Sequence, residues 1–109
     1  MQIGTEMTIY TAAALKVRLL SELAASDALE IDLAPVADID SAGLQLLLLT
    51  RREATSAGKP LRLIAPHAAV VEILATSGLS ETFASSIVAA PTESGGKAKL
   101  VKARKGQVK

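Results

Sequence analysis

Apolar residues recur along this chain with two different periods, and the places where the period changes separate one predicted element from the next. Met7 and Ile9 alternate with Thr8 and Tyr10, a period of two that predicts a brief strand ending near Thr11. From Ala12 the spacing widens: Leu15, Leu19 and Leu23 stand four apart while Lys16, Arg18 and Glu22 occupy other faces, which predicts an amphipathic helix ending around residues 25–27. Residues 29–33 return to strict alternation, with Leu29, Ile31 and Leu33 on one face and Glu30 and Asp32 on the other, so this strand has one solvated or otherwise paired face.

A second helix is predicted over residues 41–57, stopped by Gly58, with Leu44, Leu47 and Leu48 on a shared face and Gln45, Arg51, Arg52 and Glu53 off it. Its four consecutive leucines, Leu46 to Leu49, make more than one stripe apolar. Leu61-Arg62-Leu63-Ile64 predicts another short strand. Pro66 then takes the first helical turn of a segment over residues 66–77 whose core stripe is Val70, Ile73 and Leu74 and whose stop is Gly78. Ser85-Ser86-Ile87-Val88 is a candidate last strand. Strands alternating with helices argue for an α/β sandwich whose inner strands are joined by right-handed crossovers.

Composition narrows what such a domain does. The length of 109 residues suits one domain, residues 1–90, plus a tail, residues 91–109. Half of the residues are hydrophobic, but Phe83 and Tyr10 are the only aromatics, so the core must be built from Leu, Ile, Val and Ala. Cysteine is absent, which excludes disulfides and a thiolate nucleophile and fits a reducing compartment. No apolar run approaches the roughly 18 residues of a membrane-spanning helix, and no basic-then-apolar leader opens the sequence, so a soluble, cytoplasmic protein without membrane insertion is expected. The net charge of +1 conceals a division: residues 1–90 carry six basic and ten acidic groups, residues 91–109 six basic and one acidic. The tail's Lys97, Lys99, Lys102, Arg104, Lys105 and Lys109 come without aromatic residues to stack on bases, so a solvated tail is expected rather than a nucleic-acid interface.

Catalytic constellations are scarce. His67 is the only histidine and, with no cysteine in the chain, builds no zinc site of the usual kind; a surface or capping role is expected. Asp38 and Asp40, like Glu30 and Asp32, stand two apart in the manner of a divalent-cation pair, although solvation of a loop or strand is the commoner use of such acids. Gly95-Gly96-Lys97 lacks the preceding strand and following apolar helix of a phosphate loop. With no cofactor or metal indicated, what remains is Ser41, an acid-flanked hydroxyl at the start of a leucine-rich helix. A helix start offers unpaired N–H groups and a partial positive charge, so Asp40 or Ser41 can cap it, and a phosphate on Ser41 is electrostatically tolerated there. Phosphorylation would add nearly two negative charges beside Asp38 and Asp40, opposing an acidic partner without unfolding the helix.

The run Ile39-Asp40-Ser41-Ala42-Gly43-Leu44, between an acidic-tipped strand and a leucine-rich helix, resembles the signature of STAS domains, the bacterial anti-sigma-factor antagonists and their relatives. Thr8-Ile9-Tyr10-Thr11-Ala12 resembles the first strand and helix of that family, and Leu61-Arg62-Leu63-Ile64 with Val70, Ile73, Leu74, Gly78, Leu79 and Phe83 its later strand and helix. The resemblance implies a STAS-like sandwich, a central mixed sheet of about four strands flanked by three to four helices, with no catalytic activity of its own. It further implies that Ser41 is phosphorylated by a kinase related to histidine kinases and restored by a phosphatase. The implied partner surface comprises Thr8, Asp38, Asp40, Ser41, Ala42, Gly43 and Gln45. At Thr5-Glu6-Met7-Thr8 the chain departs from the Gly-Glu-Leu-Asp usual in antagonists of sigma regulators, losing an Asp that contacts the kinase, and residues 91–97 lack the periodicity of the family's closing helix. The Gly-Leu-Gln-Leu-Leu-Leu-Leu helix is most similar to STAS proteins of chemotaxis signalling clusters. Other single-domain members are accessory subunits of lipid-transport ATPases.

Overall fold

The computed structural model describes residues 1–88, in which five short strands alternate with four α-helices. β1 is Glu6–Met7, α1 Ala12–Ala25, β2 Leu29–Asp32, β3 Asp38–Ile39, α2 Ser41–Ser56, β4 Leu61–Ile64, α3 Ala68–Thr76, α4 Ser80–Phe83 and β5 Ile87–Val88. Every pair among these strands is parallel: β1 lies beside β3, and β4 lies between β2 and β5. The N-terminal segment links the two groups. Gln2 bridges to Asp32 at the end of β2, while Glu6 and Met7 pair with Asp38 and Ile39, so residues 2–7 run between β2 and β3. The α/β class is as the sequence implies. The single mixed sheet of about four strands is replaced by five strands in two small, wholly parallel groups.

Parallel strands need crossovers, and the helices supply both the connection and the cover. Leu15, Leu19 and Leu23 of α1 are buried, as their spacing of four requires, and meet Leu29, Ile31 and Leu33 from β2 and its end in one core. Glu30 and Arg62, opposite each other in the β2–β4 register, form an exposed ion pair at 3.2 Å on the outer face. At that exposure the pair contributes under about 1 kcal/mol and mainly solvates the face. Phe83, the only phenylalanine, is fully buried beside Val70 and Leu74 of α3 in the same core.

Several boundaries differ from the sequence pattern for identifiable reasons. The strand expected to run to Thr11 stops at Met7, because the Thr8 carbonyl accepts from the Thr11 and Ala12 N–H groups (2.9 and 2.8 Å) and closes a turn that leads directly into α1. Pro66 lies outside α3 rather than in its first turn. His67 is the N-cap, its Nδ1 accepting from the Ala69 N–H at 3.0 Å, which is the capping role expected of it. Ser85 and Ser86 belong to a 3-10 turn, Ala84–Ser86, and not to the last strand. In α2 the buried face follows Gly43, Leu47, Thr50 and Ala54, with Leu44 and Leu46 flanking it, whereas Leu48 is only half-buried. Thr50 is tolerated inside because its hydroxyl donates to the Leu46 carbonyl at 2.8 Å. Gly58 and Gly78 end α2 and α3 with φ of +69° and +74°, the left-handed stop that glycine adopts most cheaply. The basic tail, the Gly95-Gly96-Lys97 run and residues 91–97, where the sequence lacks the periodicity of a closing helix, lie outside the described residues.

Candidate functional site around Ser41

The site is built where three backbone segments converge: the end of β1, the turn into α1, and the start of α2. Asp40 holds them together. Its Oδ1 accepts from the Ala42 and Gly43 N–H groups at 2.9 and 3.2 Å, so Asp40, not Ser41, is the N-cap of α2. Its Oδ2 accepts from the Ile9 N–H at 3.1 Å, tying the β1–α1 turn to the same carboxylate. Three amide donors leave this carboxylate committed to positioning the loop, in place of the cation pairing with Asp38 that its spacing permits.

Those donors also hold Asp40 below the usual carboxylate range, with the Ile9 N–H the largest contribution, the Gly43 and Ala42 N–H groups reinforcing it and partial burial opposing it. The sign of the pH effect follows. A carboxyl that is more acidic when folded stabilises the fold fully above the ordinary carboxylate value of about 4, and that stabilisation is lost as pH falls through the lower folded value. Asp40→Asn is therefore expected to lower stability at neutral pH and to flatten the loss of stability in acid. Urea unfolding at a series of pH values checks this; parallel curves for the two proteins would contradict it.

Gly43 is the contact that fixes the approach of α2 to the sheet. It sits in the first turn of the helix, not in a loop, and a Cβ placed on it would lie 2.1 Å from the Met7 carbonyl oxygen and 2.9 Å from Ile39 Cγ1. Only a residue without a side chain allows the helix start to sit against β1 in this way.

Ser41 follows the cap as the first residue of α2 and is exposed, with its hydroxyl in no hydrogen bond among the described residues. Ala42 is half-buried beside it, and Gln45 is exposed one turn further on. Asp38 is exposed but lies apart, in a shallow depression with Ala69, Glu72 and Ile73 of α3. Thr8 is buried rather than presented: its hydroxyl donates to the Glu6 carboxylate, accepts from the Tyr10 N–H at 3.2 Å, and so shapes the turn from beneath. Thr8, Asp40, Ser41, Ala42 and Gly43 are thus brought together, with Gln45 at the margin and Asp38 outside.

The pattern of alternation hides two further members. Read as strand residues, Ile9 and Tyr10 would divide between core and solvent; in the turn both are outside, 69% and 90% exposed, one carboxylate away from Ser41. An exposed isoleucine and the only tyrosine side by side form an apolar knob at the tip of the site. The Thr8-x-x-Thr11 spacing was the available signal, since paired threonines favour a hydrogen-bonded turn over continuation of a strand.

Among the described residues no helix is long and apolar enough to cross a membrane. A search of curated proteins returned no match. Solved structures that share the fold include two from different settings. A sulfate transporter family protein from Wolinella succinogenes superposes with a TM-score of 0.71 at 18% identity, covering 83% of this chain and 75% of that one. The anti-sigma factor antagonist SpoIIAA in its unphosphorylated form superposes with a TM-score of 0.64 at 15% identity, covering 84% and 79%. Residues 1–89 match the family described as "Mlab, STAS domain". An acid-capped leucine helix closing on a parallel sheet, within a match that covers every described residue, places this protein in the STAS domain family.

Proposed function

We propose that the protein regulates a partner protein by direct binding through the Ser41 face, and that phosphorylation of Ser41 releases the partner. The observation that carries the reading is an exposed, uncommitted hydroxyl set between an acidic cap and an exposed Ile9-Tyr10 knob. Asp40 already occupies the Ala42 and Gly43 N–H groups, so a phosphate on Ser41 finds the helix end filled and remains a surface charge beside a carboxylate. It changes what approaches the site and leaves the core untouched. The finer reading follows the resemblance: a kinase related to histidine kinases adds the phosphate, a phosphatase removes it, and the setting is a chemotaxis or two-component pathway in the cytoplasm.

A second reading is a constitutive accessory subunit of a lipid-transport ATPase, in which Ser41 contacts the partner and is never modified. Its support is the fold shared with a sulfate transporter family protein. Purification from native cells with phosphosite mapping distinguishes them. A single phosphate on Ser41 and a co-purifying histidine-kinase-like protein are expected; an equimolar ATPase with unmodified Ser41 would establish the second reading, and a phosphate elsewhere would contradict the switch.

A further inference from the structure

The outward side of α2 carries an apolar strip at the margin of the core that is only partly covered. Leu48 and Leu49 are only half-buried, and Ala12 and Ala13 of α1 stand across from them, so the two helices leave a trough of about 370 Å³ with Lys16 and Arg52 on its rims. A second depression shares Gln45, Leu48 and Arg52 with the first, adds Arg51, and continues toward Ser56 at the far end of the helix. Every charged residue lining either depression is a cation. Three of the six basic side chains of residues 1–90 therefore line the apolar trough and the more polar depression that continues it, in a segment that carries ten acids. The acids of the two helices, Glu22 and Glu53, line neither depression, and the one ion pair among the described residues is Glu30 with Arg62, so among those residues Lys16, Arg51 and Arg52 have no ion-pair partner.

We infer that the trough between α1 and α2 is a docking surface for an acidic amphipathic helix supplied by a partner protein. An apolar floor between two helical ridges takes leucine-type anchors at intervals of three and four residues, and the flanking cations take acids at the positions between them. Charge complementarity decides among the possible occupants. The chain's own tail carries six basic groups and one acid and is repelled. A second copy would present α3, where the exposed Val71 is accompanied by Glu72 and, across the adjoining depression, Asp38, and so meets three cations with two carboxylates. The inference goes beyond the Ser41 switch and holds whether or not Ser41 is ever modified.

Selection of displayed helical peptides on the full-length protein tests it, using peptides of about 18 residues, long enough to span α2, with leucines fixed at three- and four-residue spacing and the other positions randomised. Enrichment of acidic sequences is expected, with amide shifts in α1 and α2 on binding. The double variant Lys16→Glu with Arg52→Glu is expected to weaken the selected peptide by at least about tenfold and to turn the selection toward basic sequences. Both residues are exposed, so an unchanged thermal melt separates lost binding from lost folding. Leu48→Ser is expected to weaken binding as well, while Val71→Ser on α3 leaves it unchanged. Failure to enrich any helix, enrichment of basic or uncharged ones, shifts mapping to another face, or affinity that survives the double charge reversal would overturn the inference. So would a concentration-dependent dimer abolished by Leu48→Ser, which would make the trough a self-interface.

Discussion

Gly43→Ala is expected to destabilise the domain at or above the upper end of the roughly 1–3 kcal/mol typical of overpacking, and to abolish partner binding where the variant is still folded. Two effects of opposite sign compete. Alanine favours a helix interior over glycine by about 1 kcal/mol, so propensity alone predicts a more stable protein. Against it stands a Cβ 2.1 Å from the Met7 carbonyl oxygen and 2.9 Å from its carbonyl carbon. These are backbone atoms with no flexible end to move aside, and the Met7 oxygen also accepts the Asp40 N–H at 3.3 Å. The first turn of α2 must therefore retreat from β1, which strains the Asp40 bond to Ile9 and displaces Ser41 with it. Urea unfolding together with a binding titration checks both halves. A variant as stable as the wild type would mean that the helix start has room to move and that its position is not fixed by this contact.

Tyr10→Ala is expected to act in the opposite way, leaving stability within about 0.5 kcal/mol and weakening partner affinity by at least tenfold. Tyr10 is 90% exposed and contributes nothing to the core, yet its backbone is held by Thr8 and its neighbour Ile9 by Asp40. A large aromatic side chain on a backbone already held in place has only two side-chain torsions to fix on binding and is the residue type that dominates interfaces. Calorimetry against the partner recovered from native cells measures the change; unaltered affinity would remove the knob from the interface.

The contrast between these two residues shows where the sequence is legible. Periodicity located α1, α2, β2 and β4 almost to the residue, because Leu15, Leu19 and Leu23, or Leu29, Ile31 and Leu33, each face a continuous core with nothing local competing. It failed where side-chain hydrogen bonds outrank alternation. Thr8 and Thr11 turn the chain two residues into what reads as a strand, and so convert Ile9 from an apparent core residue into a surface one. Two-residue strands such as β3 are too short to carry a period at all: Ile39 between two acids acquires its pairing with Met7 only from tertiary contact. Leu48 fits the core stripe by sequence because any of four consecutive leucines does, and only the packing of Gly43, Leu47 and Thr50 selects which of them stay half-exposed.

At the site, residue chemistry was more legible than geometry. An acid, a hydroxyl and a glycine at a helix start identify the place, but that Asp40 rather than Ser41 caps the helix, and that the same carboxylate also holds the Ile9 N–H from 31 residues away, is seen only in the folded geometry. That assignment matters most for function, since a Ser41 engaged as the cap would have its hydroxyl directed at the backbone, whereas beyond an Asp40 cap it is exposed.

The most direct measurement is the affinity of the partner for three forms of the full-length protein: unmodified, stoichiometrically phosphorylated on Ser41, and Ser41→Ala. Phosphorylation is expected to weaken binding by at least about tenfold, or 1.4 kcal/mol, with an unchanged thermal melt, and Ser41→Ala to bind as the unmodified protein does. Equal affinities for the unmodified and phosphorylated forms would contradict a switch at Ser41.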